Sequence, residues 1–587
     1  MKRFKYILAL TLVFGFTACE EKYLDLQSPT EPTTGSFFSN QAELNLALTS
    51  VYNSLIIRGG YNMPIQSNMD NSATDIGLTR GLNGGAYEEF GAGNHSPNSG
   101  GFRTTYVEHY TGIARANSLL EYMERAKSIV SDAVFQDIRN QTIVIRAYHY
   151  MYLTEVFGDV PFIETIIENP TDALLPRTPK ATIVEKLLAD LKAAAAVLPQ
   201  TRPDAERGRI TKAVALGLRA RIALYNKNYA EAAASAKEII DSEAANGLIL
   251  HPSYEDLFNA KGQNSKEIMM IMPYRQGFSP SNGASDFSNF PQAQGSRNRG
   301  SFTTATPTQS MIDSYEATDG KPIDESAVYD PSNPFANRDP RLGASIVTPQ
   351  TIWAGLRFES HKDSLVFRNS AGVNLGANRD SRIVSWPAAF CGYLWKKYTD
   401  ENSQVALQSI SFLNFSLMRY AEILLIYAEA KIELGQADQS ALNAINRIRA
   451  RAYGVNVANT ASYPAITTTN QAELRTIIKR ERKVELASEG FRLFDIRRWR
   501  IAEKVMGVPL YGRILNTKTA TMVPQIDADG FVSYKGVESQ YDLNTDSRFL
   551  NAFRTFNPAR DYLCPIPQQE IDTYAGSGAV LQQNPGY

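Results

Sequence analysis

At 587 residues the chain is several times the length of an ordinary domain of about 150 residues, so either several domains or one large core is open to it. Charged residues make up 21% and apolar residues 43%, the balance of a globular protein, which excludes wholesale disorder. Lys and Arg number 60 against 61 Asp and Glu; without Lys2, Arg3 and Lys5 of the leader described next, 57 basic residues face 61 acidic ones, a net charge of −4. A nucleic-acid binder normally carries a basic excess, so no nucleic-acid partner is expected.

The chain opens with Lys2, Arg3 and Lys5, an apolar run from Tyr6 to Phe16, and the small residues Thr17 and Ala18 before Cys19, the three-part layout of a secretory signal over residues 1–18. That run is shorter than the about 20 apolar residues a spanning helix needs, and no other stretch approaches it. The membrane would then be reached by lipid only. Phe16-Thr17-Ala18-Cys19 resembles a bacterial lipobox, in which the cysteine thiol is acylated; Phe16 departs from the usual Leu, and a plain leader with a coincidental cysteine is the alternative. Glu20 and Glu21 resemble the acidic export tags of surface lipoproteins in Bacteroidetes. Residues 19–36 are polar, with Pro29 and Pro32, and suit a lipid-anchored tether. The body is expected over 37–587.

Within the body, helical periodicity marks blocks at about 41–57, 106–157, 181–242 and 412–503, the second and third lying within 106–242. Two hairpins stand out. Thr211 to Asn226 is followed by a break at Lys227-Asn228 and then Tyr229 to Asp241; Leu417 to Leu434 is followed by Gly435 and then Gln439 to Ala452. A glycine just past a helix end supplies the left-handed residue that closes the last turn. Both units approach the tetratricopeptide period of about 34 residues, with ordinary antiparallel pairs as the alternative. Residues 58–105 and 273–410 are too long and too rich in Gly, Asn, Ser and Pro to be simple connections, so they are functional or carry short strands of their own.

The common enzyme signatures are absent: there is no nucleophile elbow, no phosphate-binding Gly-rich loop and no His-Glu-x-x-His. The histidines at 95, 109, 149, 251 and 361 include no pair at helical ligand spacing. Cys391 and Cys564 read as buried thiols rather than zinc ligands, although a disulfide between them stays open. Asp542-x-Asn544-x-Asp546 resembles the start of a calcium loop, but Ser547 stands at the turn glycine and Phe553 at the closing glutamate. No cofactor or metal is expected.

The strongest constellation runs from Glu481 to Trp499. Leu474, Ile478, Glu481 and Glu485 share one helical stripe. Two carboxylates suggest a glycosidase pair, but such groups flank a scissile bond about 5–10 Å apart, whereas i and i+4 on one helix point the same way. A structural ion-pair network fits better, with Arg492, Arg497 and Arg498 as the nearby candidate partners.

Glu481 to Trp499, together with Arg419-Tyr420-Ala421-Glu422 to Ala430, resembles the SusD/RagB family of outer-membrane nutrient-binding lipoproteins of Bacteroidetes. Arg146-Ala147-Tyr148 to Gly158-Asp159-Val160-Pro161, Gly208-Arg209-Ile210-Thr211-Lys212, Asp339-Pro340-Arg341 and the ending Pro565-Ile566-Pro567 to Tyr587 are similar to family landmarks in the same order. Tyr106 departs from a frequent Trp. The resemblance implies a mainly α, SusD-like fold of four tetratricopeptide-like helix pairs, forming a superhelical scaffold that carries a loop-rich ligand region with short strands. It also implies a non-enzymatic lid on a SusC-like TonB-dependent transporter at the cell exterior, capturing a glycan. A peptide-binding lid of the RagB type and a lipid-anchored glycoside hydrolase are the alternatives.

Family landmarks carry no fixed ligand motif, so contacts are argued from chemistry. Sugars need aromatic faces for stacking and polar side chains at the edges. In residues 58–105 the candidates are Tyr61, Asp70, Tyr87, Asn94, Phe102 and Arg103, with Asn68, Asp75 and Phe90 alongside. In residues 273–410 they are Trp353, Trp386 and Tyr393, with Arg357, Asn374 and Trp395 nearby.

Overall fold

A computed structural model describes residues 38–79, 87–276, 287–385, 388, 390–514, 519–543 and 554–587. The leader, Cys19 and the tether lie outside the described residues, as do Trp386 and the Asn544 and Asp546 of the calcium-like run.

The molecule is mainly helical. The long helices are α1 (Gln41–Asn53), α2 (Ile65–Ser72), α3 (Gly100–Tyr122), α4 (Asp132–Phe157), α5 (Lys180–Val197), α6 (Lys212–Tyr225), α7 (Tyr229–Asp241), α8 (Tyr420–Glu433), α9 (Gln439–Ala452) and α10 (Gln471–Glu485), followed by the two-turn α11 (Arg492–Arg498). From α3 to α9 each helix packs on the next, with α7 handing over to α8 across the 178-residue gap in sequence between Asp241 and Tyr420. One face of each helix is thereby buried, and an apolar cluster extends from Phe38 to Leu581. The starts are set by side chains that accept orphan backbone N–H groups: Asn40 for α1, Ser131 for α4, Asn228 for α7, Asp438 for α9 and Asn470 for α10.

Both expected hairpins form, and their turns use one device. After α8, Gly435 has φ +67°, its N–H reaches Ile432 O and the next N–H, of Gln436, reaches Lys431 O, the two bonds of a Schellman ending. After α6 the same bonds run from Lys227 N to Leu224 O and from Asn228 N to Ala223 O, but the left-handed residue is Lys227 at φ +60°. The second hairpin begins later than its periodicity suggests. Phe415–Arg419 is a strand, not the first turn of a helix, because it pairs antiparallel with Ile268–Met272, Phe415 opposite Met272 and Arg419 opposite Ile268. Backbone hydrogen bonds to a distant strand outweigh the local helical pattern there. Tyr106, at the position of the frequent Trp, is buried between Tyr110 and Phe157 with ring centroids at 4.7 and 5.3 Å.

The loop-rich region does carry strands. Ile352–Trp353, Leu356–Arg357, Val366–Asn369 and Asn374–Ala377 form a four-stranded antiparallel sheet in chain order. Leu394–Trp395 pairs with Ile346–Val347, and Gly77–Thr79 with Ala305–Pro307. Small apolar clusters separate from the main core sit beneath these strands.

Candidate functional site

The conspicuous charge cluster is a buried network, and its partners are not those nearest in sequence. Arg419, wholly buried, donates to Glu489 at 2.7 Å, Glu267 at 2.8 Å and Glu485 at 2.6 Å. Arg341 donates to Asp339 at 2.7 Å, Glu481 at 2.5 Å and Glu485 at 3.1 Å. Arg449 joins Glu481 at 3.0 Å to Glu316 at 2.7 Å, and Arg451 joins Glu485 at 2.5 Å to Glu267 at 2.9 Å. Arg492, Arg497 and Arg498, expected beside the two glutamates, go elsewhere. Arg492 forks onto Asp75 at 2.8 and 2.9 Å, Arg498 onto Glu429 at 2.5 and 2.6 Å, and Arg497 donates to Asp561 O and Cys564 Sγ. The reason is directional: α10 ends at Glu485 and the chain turns through Gly490, at φ +89°, before α11 begins, so the side chains of α11 leave the stripe that carries Glu481 and Glu485.

Three neighbouring guanidinium groups hold the Glu485 carboxyl well below the usual carboxylate range, against the opposing effect of burial. A general acid needs the reverse shift. Nor does either glutamate line a described cleft. The network is a tie that joins the sequence landmarks at Asp339-Pro340-Arg341, Arg419 and Glu481–Glu489 into one buried knot. Cys391 and Cys564 are both buried, and no disulfide joins them.

Most aromatic candidates prove to be interior. Tyr87 and Phe102 are fully buried, meet edge to face at 5.8 Å, and Tyr87 OH bonds Thr105 Oγ1 at 2.8 Å. Tyr393 is buried with its OH donating to Gln309 Oε1 at 2.5 Å, and Trp353 packs beneath its hairpin with Val347, Phe358 and Leu394. Phe90 and Trp395 are likewise interior, Trp395 Nε1 donating to Asn71 Oδ1 at 2.6 Å. None of these rings offers a face for stacking, because the short strands and turns of the loop-rich stretches need apolar cores of their own. Asp70 is also buried. It accepts from Gly490 N at 2.7 Å and Arg492 N at 3.0 Å, clasping α2 to the turn before α11, and burial pushes its carboxyl up to about 7. Asn94, in the segment before α3, and Arg103, in its first turn, are exposed. The side chain of Tyr61 and all of Trp386 lie outside the described residues.

The loop-rich region does hold an open cleft of about 1230 Å³, walled by residues 332–336, 348–351 and 359–364 and by Arg513. The walls come from a turn before the buried Arg338, the hairpin that leads into Ile352–Trp353, and the segment after Phe358. Arg513 arrives from Tyr511–Ile514, held by its N–H on Cys391 O at 2.9 Å. It lies over Gly392, at φ +81°, where a Cβ would sit 2.8 Å from its Cγ and Cδ, so glycine is what gives the aliphatic stem of Arg513 room. Arg513 pairs with Glu359 and donates to Ser360 Oγ at 3.0 Å, while its buried Nε has no acceptor among the described residues. Phe335 is half-buried, set edge to face on Tyr393 at 6.1 Å. Gln350, Lys362 and Asp363 are exposed on the rim. The sequence offered only the Asn-Pro and Glu-Ser-His-Lys-Asp turn chemistry as a signal for these residues. The contribution of Arg513, about 150 positions further on, carried none.

Comparison with known proteins places this architecture. A model of the SusD family matches residues 266–587, and a second model, described as starch-binding associating with outer membrane, matches residues 22–224. The chain belongs to the SusD family. Among curated relatives, SusD-like protein P2 of Formosa agariphila is 26% identical over 610 aligned positions covering all of both chains, and SusD-like protein P25 of the same organism is 24% identical over 85% of this chain and 90% of the relative. Among solved structures, a SusD-like carbohydrate binding protein from Bacteroides fragilis superposes with a TM-score of 0.75 at 26% identity, covering 92% of this chain and 99% of that one. This is a carbohydrate-binding family associated with the outer membrane. Among the described residues no helix is long and apolar enough to cross a membrane.

Proposed function

We propose that the protein is a surface glycan-binding lipoprotein, anchored through Cys19 and facing the cell exterior, that captures a saccharide and passes it to a SusC-like TonB-dependent transporter without cleaving it. The observation that carries this reading is membership of the SusD family, with a whole-length structural likeness to a carbohydrate binding protein. The cleft at residues 332–364 and Arg513 is the saccharide site. Its volume of about 1230 Å³ exceeds the about 300–1,000 Å³ of pockets for small ligands, which suits several linked sugar rings. Phe335 supplies the apolar face, and Gln350 and Lys362 supply edges for hydroxyl groups.

Affinity electrophoresis against a panel of plant, host and microbial polysaccharides tests the reading. At least one polysaccharide retards the wild-type protein, and Phe335→Ala with Gln350→Ala abolishes the retardation while the thermal midpoint is kept. Migration unretarded by every polysaccharide overturns it in favour of a peptide ligand, and new reducing ends in the incubation overturn it in favour of hydrolysis. Palmitate labelling that is lost in Cys19→Ala checks the anchor.

A further inference from the structure

A second cleft of about 420 Å³ lies on the helical side of the molecule, between residues 200–211 on one wall and residues 246–248 and 263–271 on the other. Four cations line it and one carboxylate, Asp204. Two of the cations are already matched: Arg202 is held by Asp137 at 2.6 Å and Glu206 at 3.3 Å, and Arg207 by Asp204 at 2.5 Å. The other two are not. Arg209, on the first wall, donates only to the neutral Asn45 Oδ1 at 3.1 Å, and Lys266, on the second wall, is exposed with no carboxylate partner among the described residues. Asn246, which is 8% exposed, also lines the cleft. Its Nδ2 donates to Ser242 Oγ at 2.9 Å, while its Oδ1 is buried with no donor among the described residues. A buried acceptor left unpaired is a cost that a ligand hydroxyl would remove.

An ordinary solvated basic face would leave its cations on a convex surface with no orphaned amide beside them. Here a concave site offers two uncompensated cations from opposite walls and one acceptor that lacks a donor. The matching ligand carries an anionic group beside a hydroxyl. We infer that this cleft is a second saccharide subsite selecting an acidic sugar, a uronate or sulfated residue, its anion between Arg209 and Lys266 and a neighbouring hydroxyl on Asn246. The inference rests on the saccharide reading above and adds to it the charge class of the ligand.

Calorimetric titration with short oligogalacturonides, a sulfated oligosaccharide and a neutral oligosaccharide of equal length tests it. The acidic ligands bind, more weakly as salt is raised. Arg209→Gln with Lys266→Gln weakens them about tenfold, in keeping with two partly solvated charge pairs, and leaves neutral binding unchanged. Lys266 touches no partner, so Lys266→Gln alone keeps the fold and weakens acidic binding by about threefold if the double variant is unstable. Whether the carboxylate or the sulfate ligand responds identifies the anion. Acidic binding equal in wild type and in the Gln variants overturns the subsite, as does its loss in Phe335→Ala alone. If neutral sugars bind and acidic ones do not, only this subsite falls; if no saccharide binds, the parent reading falls with it.

Discussion

Replacing Arg419 by Met removes the centre of the buried network while keeping most of the side-chain volume. In the wild type its guanidinium satisfies Glu267, Glu485 and Glu489 together and also donates to Glu485 O at 2.7 Å. None of the three carboxylates is stranded completely. Glu485 keeps Arg341 and Arg451, Glu267 keeps Arg451, and Glu489 keeps Lys397 at 2.6 Å. Breaking a buried pair on one side costs about 3–5 kcal/mol, and the retained partners set the lower part of that range, about 3 kcal/mol. The control is Arg475→Met. Arg475 pairs with Glu433 at 2.9 Å but is 42% exposed, so it stands for about 0–1 kcal/mol. Urea unfolding followed by tryptophan fluorescence, at neutral pH, compares the two. The saccharide affinity of whatever Arg419→Met protein remains folded is expected to match the wild type, because Arg419 lines no described cleft. Equal midpoints for Arg419→Met and Arg475→Met would refute the claim that the knot is held by charge pairing. A folded Arg419→Met protein that has lost ligand binding would refute its purely structural role.

Lys227→Gly is expected to stabilise the α6–α7 hairpin by about 1 kcal/mol, since the left-handed position at φ +60° strains a residue with a Cβ; a lower urea midpoint than wild type contradicts this. Gly112→Ala places a Cβ 2.2 Å from His149 Nε2, the atom that bonds Ser54 Oγ at 2.8 Å, and is expected to cost about 1–3 kcal/mol through overpacking, seen as a lowered thermal midpoint. Burial pushes His149 down to about 3 and holds His109 well below its ordinary value. Unfolded histidine titrates near pH 6.5, so below that pH the unfolded chain takes up protons that the folded one refuses, and the histidine contribution to stability falls as pH is lowered. From pH 7.5 to 5.0 this amounts to about 2 kcal/mol for His149. Asp70, pushed up by burial to about 7, takes up a proton in the folded state over the same range and acts in the opposite direction, so the histidine term is read as the difference between wild type and His149→Gln in how the urea midpoint changes between the two pH values, wild type losing more.

Local pattern in this chain determines local structure. The helices follow 3.6-residue periodicity, the starts of α1, α4, α7, α9 and α10 follow Asn, Ser and Asp caps, and the end of α8 follows Gly435, because each of these interactions closes within a few residues. The paired glutamates on one helical stripe were legible for the same reason, and with them the presence of an ion network. What tertiary structure decided was partnership at a distance. Glu481 and Glu485 draw their cations from Arg341, Arg419, Arg449 and Arg451, not from the arginines a turn or two downstream, since the turn before α11 points those elsewhere. The same holds for the aromatic residues of the loop-rich stretches. Composition lets Tyr87, Phe102, Trp353 and Tyr393 face either a ligand or a core, and the packing of short strands over small apolar clusters is what turned them inward. The cleft is assembled from three turns and an arginine brought from Tyr511–Ile514. A concave surface of that kind is a property of chain segments meeting in space, and no periodicity within any one segment encodes it.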